Sequence, residues 1–567
     1  MNVTLVGDGP AARAVSAALK DAPASVARTD AEAVAGAVLA VVVGPVGDAR
    51  FERANTVARR AGVPWLAVET GGIGGKATGE VTASVAGFTP EAGCYECLRT
   101  RVAANADNGE EASASAADAR FAGAIAGREA VRLLGGEHSP VLGGVIEVPH
   151  AMRSFLPVPG CPVCEDAPGR TLELDFHERS LDDALAAAEQ ALDERVGIVS
   201  DLGEAESFPA PYYLTQLADT SGFSDVTAAP HAAGVDADWN AAFMKALGEG
   251  LERYCAGVYR AESFQRAVPE SLENAVRPST FVGREDPGEP IPWVRGRDLE
   301  RGEAVWLPAE LVRFPPPSHQ LGYSITTGLG LGNSTVEAIL SGLYEVIERD
   351  ATMIAWYSTF EPLGLSVTDD GFEELVGRAR GVGLSVTPLL VTQDVDVPVV
   401  TVAVHRDGDW PLFAVGSGAD LDPTAAARSA LAEALQNWME LRGMGRDEAA
   451  AESGAIGKYA DFPEPARELI DVDGRVPAES VGPDEVPAGK GELTTVVSRL
   501  TAAGLRGYAA RTTTRDVAGL GFEAVRALVP EAQPLFTDTP RFGGRAHTVP
   551  EELGYESRLD REHHPYP

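Results

Sequence analysis

The sequence predicts an α/β domain of Rossmann type over residues 1–165, followed by a larger domain over residues 166–567 that is organised around three acidic helices. Two observations predict the first domain: apolar strand segments alternate with helical segments, and a glycine turn follows the first strand. The second domain is predicted from a glycine-rich segment that runs into a long helix with acidic side chains. A chain of 567 residues has ample length to bury a core.

The composition is strongly acidic. The chain has 84 Asp and Glu residues against 47 Lys and Arg residues, and its formal net charge is −37. Such a surface repels nucleic acids and anionic membranes, so we expect neither as a partner. The charge indicates adaptation to high cytoplasmic salt, which screens the repulsion. No apolar run reaches the roughly 18 residues of a membrane span, and the start of the sequence lacks the features of a signal peptide, so we expect a cytoplasmic protein.

In the first domain, strands are predicted at residues 1–6, 37–44 and 64–69, and a helix at 11–20. The turn after the first strand has the pattern Gly-x-Gly-x-x-Ala of dinucleotide-binding proteins. The pattern alone is weak evidence, and the nearest acidic residue that could bind a ribose, Asp30, is not at the expected place. A dinucleotide site is therefore not favoured.

Four of the five cysteines form two Cys-x-x-Cys pairs, Cys94 with Cys97 and Cys161 with Cys164. Four thiolates make the tetrahedron of a closed structural Zn²⁺ site. Disulfides are the alternative, and a reducing cytoplasm disfavours them. The fifth cysteine, Cys255, lies in an apolar stretch and is expected to be a buried packing residue.

In the second domain, residues 326–332 are predicted to form a glycine-rich turn that presents backbone amides to an anion. Asn333 and Ser334 are suitable N-caps for a helix that begins at Thr335. At about 100° per residue, one side of this helix collects four oxygen donors. They are Asn333, Glu337, Glu345 and Glu348.

Two further helices offer similar donors. Residues 245–254 contain Glu249, Glu252 and Arg253 in a Glu-x-x-Glu-Arg pattern, and residues 428–436 place Glu433 and Gln436 one turn apart. For one helix alone, a solvated acidic face is the plain alternative. Three such helices together predict a Mg²⁺ site, because Mg²⁺ prefers carboxylate and amide oxygens and sits between protein carboxylates and nucleotide phosphates.

These segments resemble the nucleotide and magnesium motifs of the YcaO superfamily, whose members use ATP to activate peptide-backbone amides. The first is similar to the family's Ser-x-x-x-Glu-x-x-Glu-Arg block with Lys245 in place of the serine, the second to its Thr-Gly block from Thr327, and the third to its Arg block from Arg428. The resemblance covers roughly residues 170–567 and implies an α+β fold there. The family often has Gly-Lys-Gly ahead of the first helix, where this chain has Gly-Val-Asp at 234–236, so Lys245 is the lysine expected to contact the nucleotide.

The resemblance implies a role for each matched position. The expected Mg²⁺ ligands are Glu249, Glu252, Asn333, Glu337, Glu345 and Glu348. The residues expected to bind ATP are Lys245, Arg253, Thr327, Gly328, Arg349, Arg428, Glu433 and Gln436.

Two further segments carry a resemblance. By its layout and cysteines, the first domain resembles the ThiF-type, ubiquitin-activating-like domain beside YcaO modules in azoline cyclodehydratases, which implies docking and substrate presentation without adenylation. The C-terminal residues 563–567 read His-His-Pro-Tyr-Pro and resemble the Pro-x-Pro-x-Pro terminus of azoline-forming members. Prolines make such a tail stiff, and the resemblance implies that the terminal carboxylate of Pro567 is the catalytic base. A frayed tail is the alternative.

The resemblance thus implies an ATP- and Mg²⁺-dependent cyclodehydratase with a structural Zn²⁺, acting on a ribosomally made precursor peptide as in bacteriocin biosynthesis. A Cys, Ser or Thr side chain would attack the preceding carbonyl, and phosphorylation by ATP would remove the oxygen, giving a thiazoline or oxazoline. Two alternatives stay open: a thioamide-forming enzyme, and a non-catalytic scaffold that presents peptide. A separate leader-peptide-binding protein, a flavin dehydrogenase and a second copy in a homodimer are the other expected partners.

Proline- and charge-rich patches around 268–293 and 461–491 are predicted to be surface loops without chemistry.

Overall fold

The computed structural model of the protein describes residues 1–105, 114–149, 151–165, 171–452 and 454–567. The predicted domain boundary at 165/166 adjoins residues 166–170, which lie outside the described residues. Within the described ranges, no helix combines the length and the apolar character that a membrane span needs.

The N-terminal part alternates strands and helices, as predicted. Its strands are β1 (Asn2–Val6), β2 (Ser25–Thr29), β3 (Leu39–Pro45), β4 (Trp65–Thr70), β5 (Gly72–Ile73), β6 (Lys76–Ala77), β7 (Ala83–Phe88), β8 (Gly144–Val148) and β9 (Ala151–Ser154). Its helices are α1 (Gly9–Ala18), α2 (Ala49–Ala61), α3 (Tyr95–Asn105) and α4 (Ala116–Leu134). A seven-stranded sheet has the order β2-β1-β3-β4-β7-β8-β9. The pairs among β1 to β4 are parallel, and the pairs from β4 to β9 are antiparallel.

The C-terminal part is built from several sheets and longer helices. Its strands are β10 (Val199–Glu206), β11 (Tyr212–Leu217), β12 (His231–Val235), β13 (Gln265–Ala267), β14 (Ile291–Asp298), β15 (Ala304–Pro308), β16 (Leu329–Gly332), β17 (Leu363–Ser366), β18 (Ser385–Leu390), β19 (Val399–His405), β20 (Phe413–Ala419), β21 (Arg475–Pro477), β22 (Tyr508–Arg511) and β23 (Glu523–Leu528). Its helices are α5 (Leu181–Ala188), α6 (Trp239–Gly257), α7 (Ala309–Val312), α8 (Thr335–Trp356), α9 (Asp370–Gly381), α10 (Pro423–Met444), α11 (Arg446–Ala449), α12 (Ile456–Tyr459), α13 (Glu464–Ile470), α14 (Lys490–Ala502), α15 (Arg515–Gly519) and α16 (Arg545–Leu553).

Three sheets position the long helices of this part. Their strand orders are β10-β11-β12, then β13-β14-β22-β23-β16 with β15 on β14, and β20-β19-β18-β17-β21. Helix α8 contacts β16 and β23 of one sheet and β19 and β20 of another, while α10 packs on β19 and β20. Helix α6 packs on β11 and β12 and also reaches β16. The three acidic helices of the sequence are therefore held between the sheets.

The start of α8 is partly as predicted. The helix begins at Thr335, and the hydroxyl of Ser334 caps it by accepting a backbone N–H of the first turn. The glycine-rich segment before it is not a turn throughout, because Leu329–Gly332 pairs antiparallel with β23 as a strand. A Cβ at Gly330 would lie 2.1 Å from the carbonyl oxygen of Ala338 in α8. The prediction of a turn was wrong here, since these glycines let a strand pack directly against the helix.

The two parts of the chain share a hydrophobic cluster that runs from the first sheet to α6. A buried ion pair joins them: Arg101 of α3 binds Asp516 of α15, and both side chains are fully buried. The hydroxyl of Tyr254 in α6 also donates to Asp516, at 2.7 Å. Separating the two parts would leave an uncompensated charge on each partner of this buried pair. The ion pair therefore stabilises the packing of α3 against the C-terminal part.

Candidate active site

Carboxylates from three helices meet between α6, α8 and α10. Each lies close enough to another to perturb it electrostatically. They are Glu249 and Glu252 of α6, Glu345 and Glu348 of α8, and Glu433 and Glu440 of α10. The sequence predicted all of these except Glu440, which accepts hydrogen bonds from Tyr212 (2.7 Å) and Gln436 (3.0 Å).

Burial and neighbouring carboxylates raise the pKa values of three residues in the cluster. Burial raises the pKa of Glu252 to about 8, and the charges of Glu345 and Glu249 add to this effect. Burial and the charge of Glu433 raise the pKa of Glu348 to about 8. Burial likewise raises the pKa of Glu433 to about 7. Gathered carboxylates with raised pKa values are suited to bind a hard cation, which would favour their ionised forms, so this donor set fits Mg²⁺.

Ser417 on β20 links two of these carboxylates. Its hydroxyl donates to Glu348 Oε1 at 2.6 Å, and its backbone N–H donates to Glu433 Oε2 at 2.6 Å. One strand residue therefore orients acidic side chains from both α8 and α10. Ser417 was not predicted from the sequence, because a single serine in an apolar strand carries no motif.

A second group of oxygen donors lies at the start of α8. Glu337 Oε2 accepts from the backbone N–H of Asn333 at 2.8 Å and from its Nδ2 at 3.0 Å. The amide oxygen of Asn333 is buried and has no hydrogen-bond partner among the described residues. An oxygen left without a donor in this position fits a cation ligand. Glu337 and Glu348 are about 16 Å apart along the helix at 1.5 Å per residue, so the donors form two groups.

Arginines offset part of this negative charge. Arg349 Nη2 lies 2.9 Å from Glu345 Oε1, and its Nη1 donates to the hydroxyl of Thr327. The backbone N–H of Gly328 donates to Glu345 Oε2 at 2.8 Å. Thr327, Gly328 and Arg349 are thus brought together, as the motif implied. Arg253 binds Glu249 in the same way on α6.

Arg526 of β23 is a further cation at the site, and it was not predicted from the sequence. It is buried and donates to the carbonyl oxygens of Thr326 (2.8 Å) and Ile325 (2.7 Å). Burial lowers its pKa to about 10, while the charges of Glu345 and Glu252 oppose this effect. An arginine between apolar residues of a strand was the available signal, because arginine is seldom buried without a partner.

Two residues predicted to bind the nucleotide form ion pairs with carboxylates outside the cluster. Lys245 Nζ lies 2.6 Å from Asp236, and its side chain is half exposed. Arg428 lies 3.5 Å from Asp369, at the start of α9, and is also about half exposed. Their contacts with ATP stay predictions.

The C-terminal tail lies inside the molecule beside the carboxylate cluster. His564 and Tyr566 are buried, and the hydroxyl of Tyr566 lies 3.4 Å from Thr401 Oγ1 on β19. Thr401 stands directly opposite Ser417 in the β19/β20 ladder. The alternative prediction of a frayed tail is therefore wrong, although Pro567 itself is exposed.

The four predicted zinc ligands converge in the N-terminal part. All are buried, and their sulfur atoms lie within 4.8 Å of one another. The Sγ distances are 3.9 Å for Cys94 and Cys97, 3.7 Å for Cys94 and Cys161, and 3.4 Å for Cys97 and Cys164. Sulfur atoms of a tetrahedral site with Zn–S bonds of about 2.3 Å lie about 3.8 Å apart, so this donor set fits Zn²⁺.

Cys255 is buried, as predicted, and packs against Thr514, with its Sγ 3.4 Å from the hydroxyl oxygen. Burial raises the pKa of its thiol to about 12. The thiolate is the nucleophilic form of cysteine, so Cys255 is a poor nucleophile.

Comparison with known proteins gives both a family and a fold. Residues 233–533 match a family described as YcaO cyclodehydratase, ATP- and Mg²⁺-binding. An uncharacterized protein of Methanothermobacter thermautotrophicus is 31% identical over 336 residues, which cover 55% of this chain and 84% of that protein. A heterocyclase solved in complex with substrate and cofactor is similar with a TM-score of 0.77 at 20% identity, covering 100% of this chain and 85% of its own. The heterocyclase TruD is similar with a TM-score of 0.69 at 20% identity, covering 98% and 82%.

Proposed function

Since the chain belongs to the YcaO family and is an ATP-dependent cyclodehydratase, we propose that it forms thiazoline or oxazoline rings in a ribosomally made precursor peptide. The carboxylate cluster of α6, α8 and α10 carries the proposal. A scaffold that only presents peptide has no reason to bury that many like charges on facing helices. Burying carboxylates is unfavourable in free energy, and binding the cations that accompany a nucleotide would offset this.

The proposed reaction solves one difficulty, which is that an amide oxygen is a poor leaving group. The thiol or hydroxyl of a Cys, Ser or Thr residue of the peptide releases its proton and attacks the preceding backbone carbonyl carbon. The oxyanion takes the γ-phosphoryl group of ATP, and ADP leaves. Phosphate then leaves from the ring carbon as the nitrogen loses its proton, which gives the azoline. Bound Mg²⁺ would supply neutralisation of the phosphate charge.

The residues of the site would bind Mg²⁺, position its ligands or contact the nucleotide. The Mg²⁺ ligands in this proposal are Glu249, Glu252, Glu345 and Glu348 in one group and Asn333 and Glu337 in the other. Ser417 would hold Glu348 in position. Arg253 and Arg349 would offset phosphate charge. The remaining nucleotide contacts in this proposal are Lys245, Thr327, Gly328, Arg428, Glu433 and Gln436.

The tail supplies the proposed base. A general base must come within hydrogen-bond reach of the proton that it removes. Tyr566 anchors the tail on β19, beside the strand residue that orients Glu348, and this anchoring supports placing the terminal carboxylate of Pro567 at the reacting amide.

The N-terminal part is proposed to be a ThiF-like domain that docks and presents the peptide. The parallel strand order β2-β1-β3-β4 supports a Rossmann-type arrangement. A structural Zn²⁺ on the four cysteines would stabilise the domain, and the buried pair of Arg101 and Asp516 would fix its orientation relative to the active site. We place the domain boundary at 165/166.

Mass spectrometry tests the proposal. Precursor peptides are incubated with the protein, ATP and Mg²⁺, and we expect ATP-dependent loss of water at a Cys, Ser or Thr residue. Replacement of oxygen by sulfur when sulfide is present would instead identify a thioamide-forming enzyme. An unmodified peptide with no ATP consumption would favour the scaffold.

A further inference from the structure

A pocket of about 120 Å³ lies beside the proposed nucleotide site and shares Thr327 and Arg349 with it. Much of its wall is apolar and comes from loops and strands distant in sequence, including Phe281, Leu311 and Leu535. Small-molecule sites typically measure about 300–1,000 Å³, so this pocket has room for one side chain and not for a nucleotide.

Every charged residue that lines the described part of this pocket is an arginine. Arg349 and Arg526 lie beside the carboxylate cluster described above, where Glu345 is near both. Arg284 and Arg541 are not among the residues described there. Arg284 comes from the proline-rich patch around 268–293, for which the sequence indicated a surface loop without chemistry.

Arg284 and Arg541 converge on one point of the backbone. A Cβ at Gly322 would lie 2.9 Å from Arg284 Nη1 and 3.9 Å from Arg541 Nη1. Arg284 donates to the carbonyl oxygen of Leu321, and the guanidinium of Arg541 stacks over Tyr323, 5.4 Å from the ring centroid. Within the described ranges, neither arginine forms a salt bridge with a carboxylate.

This arrangement is unusual for a chain with 84 acidic and 47 basic residues. Burial lowers the pKa of Arg284, and the like charge of Arg541 lowers it further. Glu310 is the carboxylate in electrostatic range of Arg284, and its oxygens accept hydrogen bonds from the hydroxyl of Ser318 and the backbone N–H groups of Gln320 and Leu321. Two adjacent cations without a bound carboxylate create a positive potential in the pocket, which favours an anionic ligand.

The surroundings distinguish between a phosphate and a carboxylate. A nucleoside triphosphate binds as its Mg²⁺ complex, and Mg²⁺ needs carboxylate ligands. The described pocket lining contains no carboxylate. A carboxylate on an aliphatic stem needs no metal, pairs with a guanidinium fork and packs against apolar walls. Because the pocket reaches Thr327 and Arg349, its ligand would lie next to the proposed phosphate site.

We propose that this pocket binds a carboxylate of the peptide substrate through Arg284 and Arg541, within a few residues of the amide that is phosphorylated. The carboxylate belongs to an acidic side chain or to the C-terminus of the peptide. The inference rests on the proposed function and names a selectivity of the same site: peptides with an acid at this position are preferred.

Binding without turnover tests this selectivity. A synthetic peptide pool with a fixed central Cys and randomised flanking positions is made in two forms, with a C-terminal acid and with a C-terminal amide. The wild-type protein captures peptides in the presence of ADP and Mg²⁺, and mass spectrometry identifies them. We expect enrichment of Asp and Glu at a flanking position, or of the acid pool over the amide pool, by about tenfold or more, because charge-assisted hydrogen bonds contribute at this level.

Variants assign the effect to the two arginines. The double variant Arg284→Gln, Arg541→Gln should lose the enrichment and keep its ATP dissociation constant within about twofold. Arg301→Gln, in an exposed turn between β14 and β15, is the matched control and should keep the enrichment. If the double variant does not fold, as judged by circular dichroism, Arg541→Gln alone should still reduce the enrichment.

Three results would overturn the inference: no enrichment by the wild-type protein, enrichment that survives in the arginine variants, or a rise in the ATP dissociation constant as large as the loss of enrichment. The last result would assign the arginines to the nucleotide. Failure of the proposed function is a different observation, namely no ATP-dependent mass change of any peptide by the wild-type protein.

Discussion

Replacing Glu348 by glutamine is expected to stabilise the metal-free protein near neutral pH while abolishing ATP hydrolysis. Burial raises the pKa of Glu348 from 4.5 to about 8 in the folded protein. The folded state therefore binds a proton that the unfolded chain releases between these values, so stability falls as pH rises through this window. At 1.36 kcal/mol per pKa unit, ionisation of this one group in the unfolded chain opposes folding by about 3 kcal/mol at pH 7 and by about 1 kcal/mol at pH 5.

Urea denaturation in the presence of a chelator measures this difference. The variant should exceed wild type in stability by more at pH 7 than at pH 5, and the exposed α16 variant Glu551→Gln should show no such trend. Adding Mg²⁺ with a non-hydrolysable ATP analogue should stabilise wild type but not Glu348→Gln, since binding to the native state alone shifts unfolding. A stability difference that is equal at both pH values, or retained ATP turnover, would refute the assignment of Glu348 as a buried metal ligand.

Three further outcomes are expected. Metal analysis of the chelator-washed protein should find about one zinc per chain, and Cys161→Ser should lose it; a folded, metal-free wild type with four free thiols would argue against the site. Ser417→Ala should raise the Mg²⁺ concentration for half-maximal ATP turnover roughly tenfold, whereas Ser417→Thr keeps the hydroxyl and should stay close to wild type; equal values for both would remove Ser417 from this role. Deleting Tyr566 and Pro567, or extending the chain beyond Pro567, should reduce peptide dehydration by about 10² to 10⁴ with little change in ATP affinity, and normal dehydration by either form would rule out the base.

Local sequence signals predicted much of the fold. Alternating apolar segments located β1, β3 and β4, and the serine cap located the first residue of α8. The glycine-rich segment was predicted wrongly because its conformation depends on distant partners. Gly330 belongs to a strand since β23 pairs with it and α8 lies too close for a side chain. No local pattern contains that information.

The site was predictable where one helix carries the whole pattern. The spacing of Glu249 and Glu252, and of Glu345 and Glu348, is a property of single helices and was visible in the sequence. Ser417 on β20 and Arg526 on β23 reach the site only through the sheet arrangement. Their roles depend on which strand lies beside which helix, and no local sequence pattern determines that arrangement.

The expected separation between ATP binding and dehydration in the tail variants follows from how the tail is attached. Tyr566 contacts Thr401 on β19, whereas the donors to Glu348 and Glu433 come from Ser417 on β20. The β19/β20 ladder keeps Thr401 and Ser417 opposite each other through backbone hydrogen bonds that do not involve the tail. Removing the last two residues therefore leaves the carboxylate donors in place and takes away only the group proposed to reach the peptide, so a large loss of ATP affinity in that variant would mean that the tail supports the cluster itself.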